Sequence, residues 1–261
     1  MSNEIIGLPS WFETPPGQYL LAWEQARFDE AVADAFGFHA LQLGLPALPA
    51  LRANRMPHQW LAVDAPLPAG APARPALVTD FAALPFPASS LDLVLLPHAL
   101  ECSADPHATL REVERVLVPE GRVVICGFNP ASLWGLRHGR PRGYPSTSAA
   151  TGGEPIGYWR LRDWLRLLSF EVESGRFGCY RPAVRSSRWL ERWRWMDAVG
   201  QRWWPIFGAA YCLSAVKRVH GMRLIEPVWS ASPAIAAAPV SVANRRQPAA
   251  ISTRQENKVS V

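Results

Sequence analysis

The residues of this chain with the chemistry to act on a ligand sit just after short apolar runs. Asp64 follows Gln59 to Val63, Asp80 follows Ala76 to Thr79, and His98 follows Leu91 to Leu96 and Pro97. A carboxylate closing a buried run can accept hydrogen bonds from ligand hydroxyls, and Asp64 equally suits a solvated turn. An imidazole titrates near neutrality, so His98 is a candidate general base toward a hydroxyl or amine; a lone histidine is as readily structural. The four cysteines (Cys102, Cys126, Cys179, Cys212) form no CxxC pair and have no histidine cluster beside them, which argues against a metal site and fits reduced thiols that act as small hydrophobes.

These residues need a scaffold, and the apolar periodicity supplies one. Thr14-Pro15-Pro16 has the form of a helix start, and Leu20, Leu21, Trp23, Phe28, Val32 and Phe36 recur at helical spacing before Gly37. Strands are expected at His39–Leu43, Gln59–Val63 and Ala76–Thr79, with turns and a short helix over 45–59. Leu91–Leu96, apolar except for Asp92, reads as a buried parallel strand. An amphipathic helix over His107–Val118 and a strand over Arg122–Gly127 follow. Beyond these come a helix at Leu161–Leu168, a strand entry at Phe170–Glu173 and a last strand at Ala209–Val216. Strands alternating with helices predict an α/β fold: a Rossmann-like doubly wound sheet, mostly parallel with an antiparallel C-terminal strand, and helices on both faces. Residues 1–229 are expected to form this domain, and 230–261, rich in Ala, Pro, Ser and Val without aromatics, a disordered tail.

Within that frame one block has a recognisable order: Asp80-Phe81-Ala82-Ala83-Leu84-Pro85-Phe86, then Ser90-Leu91-Asp92-Leu93-Val94, then Leu110-Arg111-Glu112-Val113 with Arg115-Val116-Leu117, closing on Pro119-Glu120-Gly121-Arg122. It resembles the class I S-adenosylmethionine-dependent methyltransferases, over about residues 76–127, and the segment from Gly127-Phe128-Asn129-Pro130 resembles a narrower bacterial subgroup. The resemblance implies S-adenosylmethionine as cofactor, with Asp80 accepting from the adenine amine and Phe81 covering the adenine face. Asp64, twenty positions after Gly44, then suits the ribose hydroxyls as in dinucleotide folds. The loop Leu96-Pro97-His98-Ala99-Leu100-Glu101 would face methyl donor and acceptor, which places Pro97 at the cofactor and His98 at the acceptor. Asp92 is expected to be structural, and Glu112 and Arg115, three apart on a helix, to pair.

The family's first motif is altered. Where it carries an acidic residue before a glycine-rich turn, this chain has Leu41-Gln42-Leu43-Gly44-Leu45-Pro46-Ala47-Leu48-Pro49. Gln42 lacks the charge to meet an ammonium group, and Pro46 and Pro49 have no N–H to donate. Two readings follow. In one, Gln42 and Gly44 still border a cofactor held mainly by its adenosine end; in the other, the fold is a cofactor-free binding module. A nicotinamide oxidoreductase would share the sheet, but the G-x-G-x-x-G turn is missing.

Composition bounds the partners. With 261 residues, 49% of them hydrophobic, the chain can bury a substantial core. The formal charge of +5 rests almost wholly on arginine, which with the abundant alanine and proline reads as the codon bias of a GC-rich bacterial genome, and nucleic acid is not the expected ligand. No secretory leader and no apolar run long enough to span a bilayer is expected, so the chain is read as cytoplasmic, a monomer or homodimer acting on a small-molecule acceptor, anionic or hydrophobic. Arg137, His138, Arg140 and Arg142 in the 137–157 loop suit either a lid over an anionic acceptor or a solvated loop. The Trp/Arg stretch 188–204 admits core or dimer packing, cover for a hydrophobic acceptor, or peripheral contact with a membrane.

Overall fold

A computed structural model describes residues 8–68, 73–135, 155–184 and 186–219. The elements, in chain order, are α1 (Leu8–Phe12), α2 (Pro15–Ala33), β1 (His39–Leu43), β2 (His58–Val63), β3 (Leu77–Val78), β4 (Leu91–Pro97), α3 (Ala99–Cys102), α4 (Pro106–Val116), β5 (Leu117–Phe128), α5 (Tyr158–Leu167), β6 (Phe170–Gly178), α6 (Ser187–Arg192), α7 (Trp195–Trp203), a 3₁₀ turn (Pro205–Phe207) and β7 (Ala210–Lys217). The expected tail from 230 and the expected 137–142 arginine cluster lie outside the described residues.

The seven strands form one sheet in the order β3-β2-β1-β4-β5-β7-β6. Neighbours from β3 through β5 run parallel, and β7 runs antiparallel to both β5 and β6. This is the expected mostly parallel Rossmann-like sheet with its antiparallel C-terminal strand. The order reverses between β1 and β4, and at such a switch point the strand ends diverge and leave a crevice.

Alternation along the central strands builds a core on each face. Val94 and Leu96 of β4 point to the layer made by α4 and α5 through Leu110, Val113, Leu161 and Leu165. Leu93 and Leu95 point the other way, to Phe28 and Val32 of α2. Thr14 caps α2 as expected, its hydroxyl accepting from the Gly17 amide with prolines in the first turn. Helix α4 begins on Asp105, whose side chain accepts from Ala108 N, and carries Val113 and Val116 to the sheet.

Two departures from expectation concern β5 and the segment 45–59. Strand β5 starts directly at the end of α4 and includes the Pro119-Glu120-Gly121 turn, with its register against β4 shifted between Leu91 and Leu93. No helix forms over 45–59; there Leu48, Ala50, Leu51 and Met56 drop singly into the α2-side core, so packing rather than helical periodicity sets their spacing.

Asp92 takes the structural role expected of it. Its Oδ2 accepts from Phe38 N at 2.8 Å and His39 N at 2.9 Å, which fixes the start of β1 beside β4. Replacing it leaves two donors without their ionised partner. Asp92→Ala is expected to lower unfolding free energy by about 2 kcal/mol, measured by urea titration; a change within error would show that the two amides are as well served by water.

Candidate functional site

The ends of β1, β2, β3 and β4 meet at the switch point, and the chemistry-bearing residues collect there. Asp64 and Asp80 are exposed, each just past the carboxyl end of its strand. Asp80 uses Oδ1 to accept from Ala82 N at 2.9 Å, which closes the turn that follows it. Phe81 is buried, its ring edge lying against Gly44. Gly44 has φ +75°, a left-handed conformation, and a Cβ there would come within 3.7 Å of both Phe81 and the Ala99 methyl. The floor between β1 and the loop after β4 is therefore a notch one methyl group wide, walled by a ring and an alanine. Cys102 lies close enough to feel the charges of Glu101 and Asp64, which add to burial in pushing its thiol up to about 12. Burial is the main cause of that rise, and Cys102 stays protonated.

The Asp80 loop is held by a clamp from α4. Leu84 N donates to Glu112 Oε2 at 3.1 Å, and Arg115 donates to Phe86 O at 3.0 Å and Leu84 O at 3.1 Å. Arg115 also pairs with Glu112 through two hydrogen bonds, as their spacing predicts. The motif spacing between Leu84-Pro85-Phe86 and Glu112-x-x-Arg115 is thus a structural device: one ion pair reads both backbone polarities of the loop that carries Asp80 and Phe81.

Gln42 is buried and bonded to the loop that follows it. It is 3% exposed, and its Nε2 donates to the carbonyls of Gly44, Leu45 and Leu48 at 3.2, 3.1 and 2.8 Å, while its Oε1 accepts from Ala50 N at 3.1 Å. Pro46 and Pro49 deprive this loop of donors and leave it rich in carbonyls. An amide satisfies such a loop and a carboxylate cannot, because an ionised acid only accepts. The missing acidic residue is explained by the turn that follows it.

His98 is the most constrained of the expected residues. It has φ +54° and is 1% exposed. Its Nδ1 contacts Glu101 Oε2 and its Nε2 contacts Glu24 Oε1 of α2, both at 2.7 Å. Burial opposes charging the ring, but the charges of Glu24 and Glu101 outweigh it and hold its pKa up at about 10. With both nitrogens engaged and the ring protonated, the free lone pair a general base requires is taken up. Glu101 is itself pushed up, chiefly by burial, and His98 works against that shift. Its second oxygen accepts from Phe128 N at 2.6 Å; a Cβ on Gly127 would stand 3.1 Å from that oxygen and 2.9 Å from the Tyr211 hydroxyl, so only glycine leaves room for both. Glu24 Oε2 is buried with no hydrogen-bond partner. This buried trio was not legible in the sequence. Pro97, also expected at the site, is the buried last residue of β4, paired with Cys126.

Residues 56–125 match the family described as methyltransferase domain. The chain is 32% identical over 169 residues to the uncharacterized protein YafS of Escherichia coli K12, covering 64% of this chain and 67% of that protein. Over 58 residues it is 43% identical to a malonyl-[acyl-carrier protein] O-methyltransferase of Halorhodospira halophila, a stretch that makes up 22% of this chain and only 20% of that one. A SAM-dependent methyltransferase from Archaeoglobus fulgidus superposes with a TM-score of 0.54 at 18% identity, covering 76% of this chain and 94% of that one. The chain belongs to one family with YafS, and its residues 56–125 are a methyltransferase domain on the fold of the S-adenosylmethionine-dependent enzymes. S-adenosylmethionine is the cofactor that this domain implies, and at the crevice two exposed carboxylates close adjacent strands beside an apolar ring. The glycine turn keeps its left-handed Gly44 and loses donors at Pro46 and Pro49. Among the described residues no cluster of His, Cys, Asp and Glu could hold a metal ion.

Two outcomes test this geometry. Gln42→Glu places a carboxylate against three carbonyls and is expected to cost at least about 3 kcal/mol in a denaturant titration; a neutral result would mean that the loop re-pairs. The His98 trio sets a pH dependence. A histidine whose folded pKa is raised contributes stability that is fully present below its ordinary value of 6.5 and is lost as pH rises through about 10. Unfolding free energy is therefore expected to fall across that window. His98→Gln should be less stable at neutral pH and lack this fall, and an unchanged pH profile would remove the charge from His98.

Proposed function

We propose that this methyltransferase moves a methyl group from S-adenosylmethionine to a small-molecule acceptor at the crevice formed by the ends of β1, β2, β3 and β4. The observation that carries the reading is the pair of exposed carboxylates, Asp64 and Asp80, presented at adjacent strand ends beside Phe81 and Gly44. Asp64 takes the ribose hydroxyls, Asp80 takes the adenine amine with the oxygen not used on its own turn, and Phe81 covers the base. Gly44 lets the backbone approach, while Gln42 and Pro97 support the floor from below. When bound, the cofactor supplies a methyl group already activated by a sulfonium centre. What remains for the protein is to align the acceptor and exclude water, which positioning alone can do.

In this reading His98 is a positioning residue. Its charge holds the loop after β4 in a left-handed turn and ties it to α2, so that Ala99 and Phe81 define the notch. Nothing in the crevice favours the cofactor-free alternative over this one. Among the described residues no helix is long and apolar enough to cross a membrane.

Calorimetric titration with S-adenosylmethionine and with its demethylated product is the test. Saturable binding is expected, with Asp80→Ala weakening it about ten-fold, as loss of a charge-assisted hydrogen bond implies. Absence of binding at millimolar ligand, with the wild-type chain folded, would overturn the proposal.

A further inference from the structure

The connection between β6 and β7 leaves an unusual set of side chains in solvent. Trp189, Trp195, Trp203, Trp204, Ile206 and Phe207 are 53, 55, 73, 38, 47 and 46% exposed, all within one stretch of the chain. Arg188, Arg192, Arg194 and Arg202 are interleaved with them and exposed as well. Single exposed hydrophobes need no explanation, but a run of this kind marks an interaction surface.

The charges of the stretch are sorted. Of its two acidic residues Asp197 turns to the protein, receiving Arg181 Nε at 2.8 Å and the Tyr19 hydroxyl at 2.5 Å, whereas Glu191 is exposed and lies 3.8 Å from Arg181. Among the described residues none of the four arginines is in an ion pair, and Arg192 rests over the Trp189 ring, 5.4 Å from its centroid. Outward, the surface shows indoles and four guanidinium groups outside any ion pair, against the one exposed carboxylate of Glu191.

The tip of the stretch is rigid. Asn129 Nδ2 donates to Ile206 O at 2.8 Å and Gly208 O at 2.9 Å, and the Tyr180 hydroxyl donates to Pro205 O at 2.7 Å. The backbone carbonyls of the 3₁₀ turn are thus spent inward, while Ile206 and Phe207 stay in solvent. This is an arrangement fixed before any partner arrives.

We infer that Trp189 to Phe207 is a docking surface for an anionic lipid bilayer. Indole rings favour the boundary between headgroups and acyl chains, and unpaired arginines next to them meet anionic headgroups. A second copy of the chain fits less well, since a self-complementary contact would bring these arginines together and bury them without counter-charge. RNA would use the flat rings and the arginines, but has no use for Ile206. The first residue of β7, Ala210, pairs with Phe128 at the carboxyl end of β5, so the tip stands on the sheet edge that carries the crevice. Docking would turn that edge toward the bilayer. The consequence, an acceptor drawn from the lipid phase, rests on the methyltransferase reading; docking itself does not.

The test is cosedimentation of the full chain with vesicles of phosphatidylcholine alone, or of equal parts phosphatidylcholine and phosphatidylglycerol, without cofactor. Binding to the mixed vesicles is expected, weakening with added salt and accompanied by a shift of tryptophan emission to shorter wavelength. Arg192→Ala and Arg194→Ala should each weaken it about five-fold. Trp203→Ser combined with Trp204→Ser and Phe207→Ser should weaken it at least about ten-fold. Should that triple variant misfold by circular dichroism, the arginine variants and the salt dependence decide. No sedimentation with mixed vesicles, or equal binding to both kinds, overturns the inference. So does dimerisation or single-stranded RNA binding through these residues without vesicle binding. Vesicle binding by a chain that does not bind S-adenosylmethionine would leave docking standing and remove the methyltransferase reading alone.

Discussion

The imidazole of His98 lies between two carboxyl groups in the interior, and the arrangement of the crevice depends on that contact. Glu24 comes from α2, which precedes the sheet; Glu101 comes from α3, just past β4, and also receives the amide of Phe128 at the end of β5. One side chain therefore connects the N-terminal helix, the turn leaving β4 and the last parallel strand. Burying three ionisable groups costs several kcal/mol of desolvation, and the cost is offset only while the contacts persist. A left-handed backbone at a non-glycine residue is a further penalty, of order 1–3 kcal/mol. Both are tolerated because the same contacts hold the turn: the His98 amide donates to Cys126 O at 3.0 Å while the ring is fixed from both sides. A residue of the right type to be a base is here a charged tie.

The first loop shows the same principle in neutral form. Its prolines remove N–H donors, and Gln42 brings a donor up from β1 to the carbonyls left over, while returning one acceptor to Ala50. The substitution and the prolines are two halves of one exchange of polarity. Such a loop closes the floor of the crevice with carbonyl oxygens turned down to Gln42. In the proposed function this shifts the burden of holding the cofactor toward its adenosine end, at Asp64 and Asp80, which stand in solvent.

Much of the sheet was readable in the sequence because its signals are local. His39–Leu43 is a short run that Gly44 closes, Leu91–Leu96 is a mostly apolar run between Ser90 and Pro97, and α2 opens on a threonine followed by prolines. The Asp80 loop and the Glu112–Arg115 pair form an ordered block because a clamp between neighbouring segments fixes their spacing. The trio around His98 was not readable, since Glu24 is 74 positions from His98 and nothing in the local pattern of α2 marks a buried acid. The defect at Gln42 was visible, but its reason was not: the compensation lies in which way carbonyls point, and composition carries no orientation. Helical spacing over 188–204 was visible as well, and it left core or dimer packing, cover for an acceptor and membrane contact all open, whereas in the structure most of the indoles are in solvent. Periodicity says that a face exists and does not say what covers it.

The antiparallel strand decides where that face goes. Strands β1 to β5 all end at the crevice edge. Because β7 runs against β5 and β6, it must begin at that same edge, and β6 ends there, with Gly178 opposite Ala210. The whole connection from β6 to β7 is thus confined to the rim of the crevice. A parallel seventh strand would have sent its entry to the opposite edge. Any side chains carried on α6, α7 and the 3₁₀ turn are delivered to the same end of the sheet as Asp64, Asp80 and Gly44, on the far side of β4 and β5 from the two carboxylates. Asn129 then completes the placement, since it follows β5 directly and grips the backbone on both sides of Phe207. The indole-rich surface and the crevice share one end of the sheet because one strand is reversed.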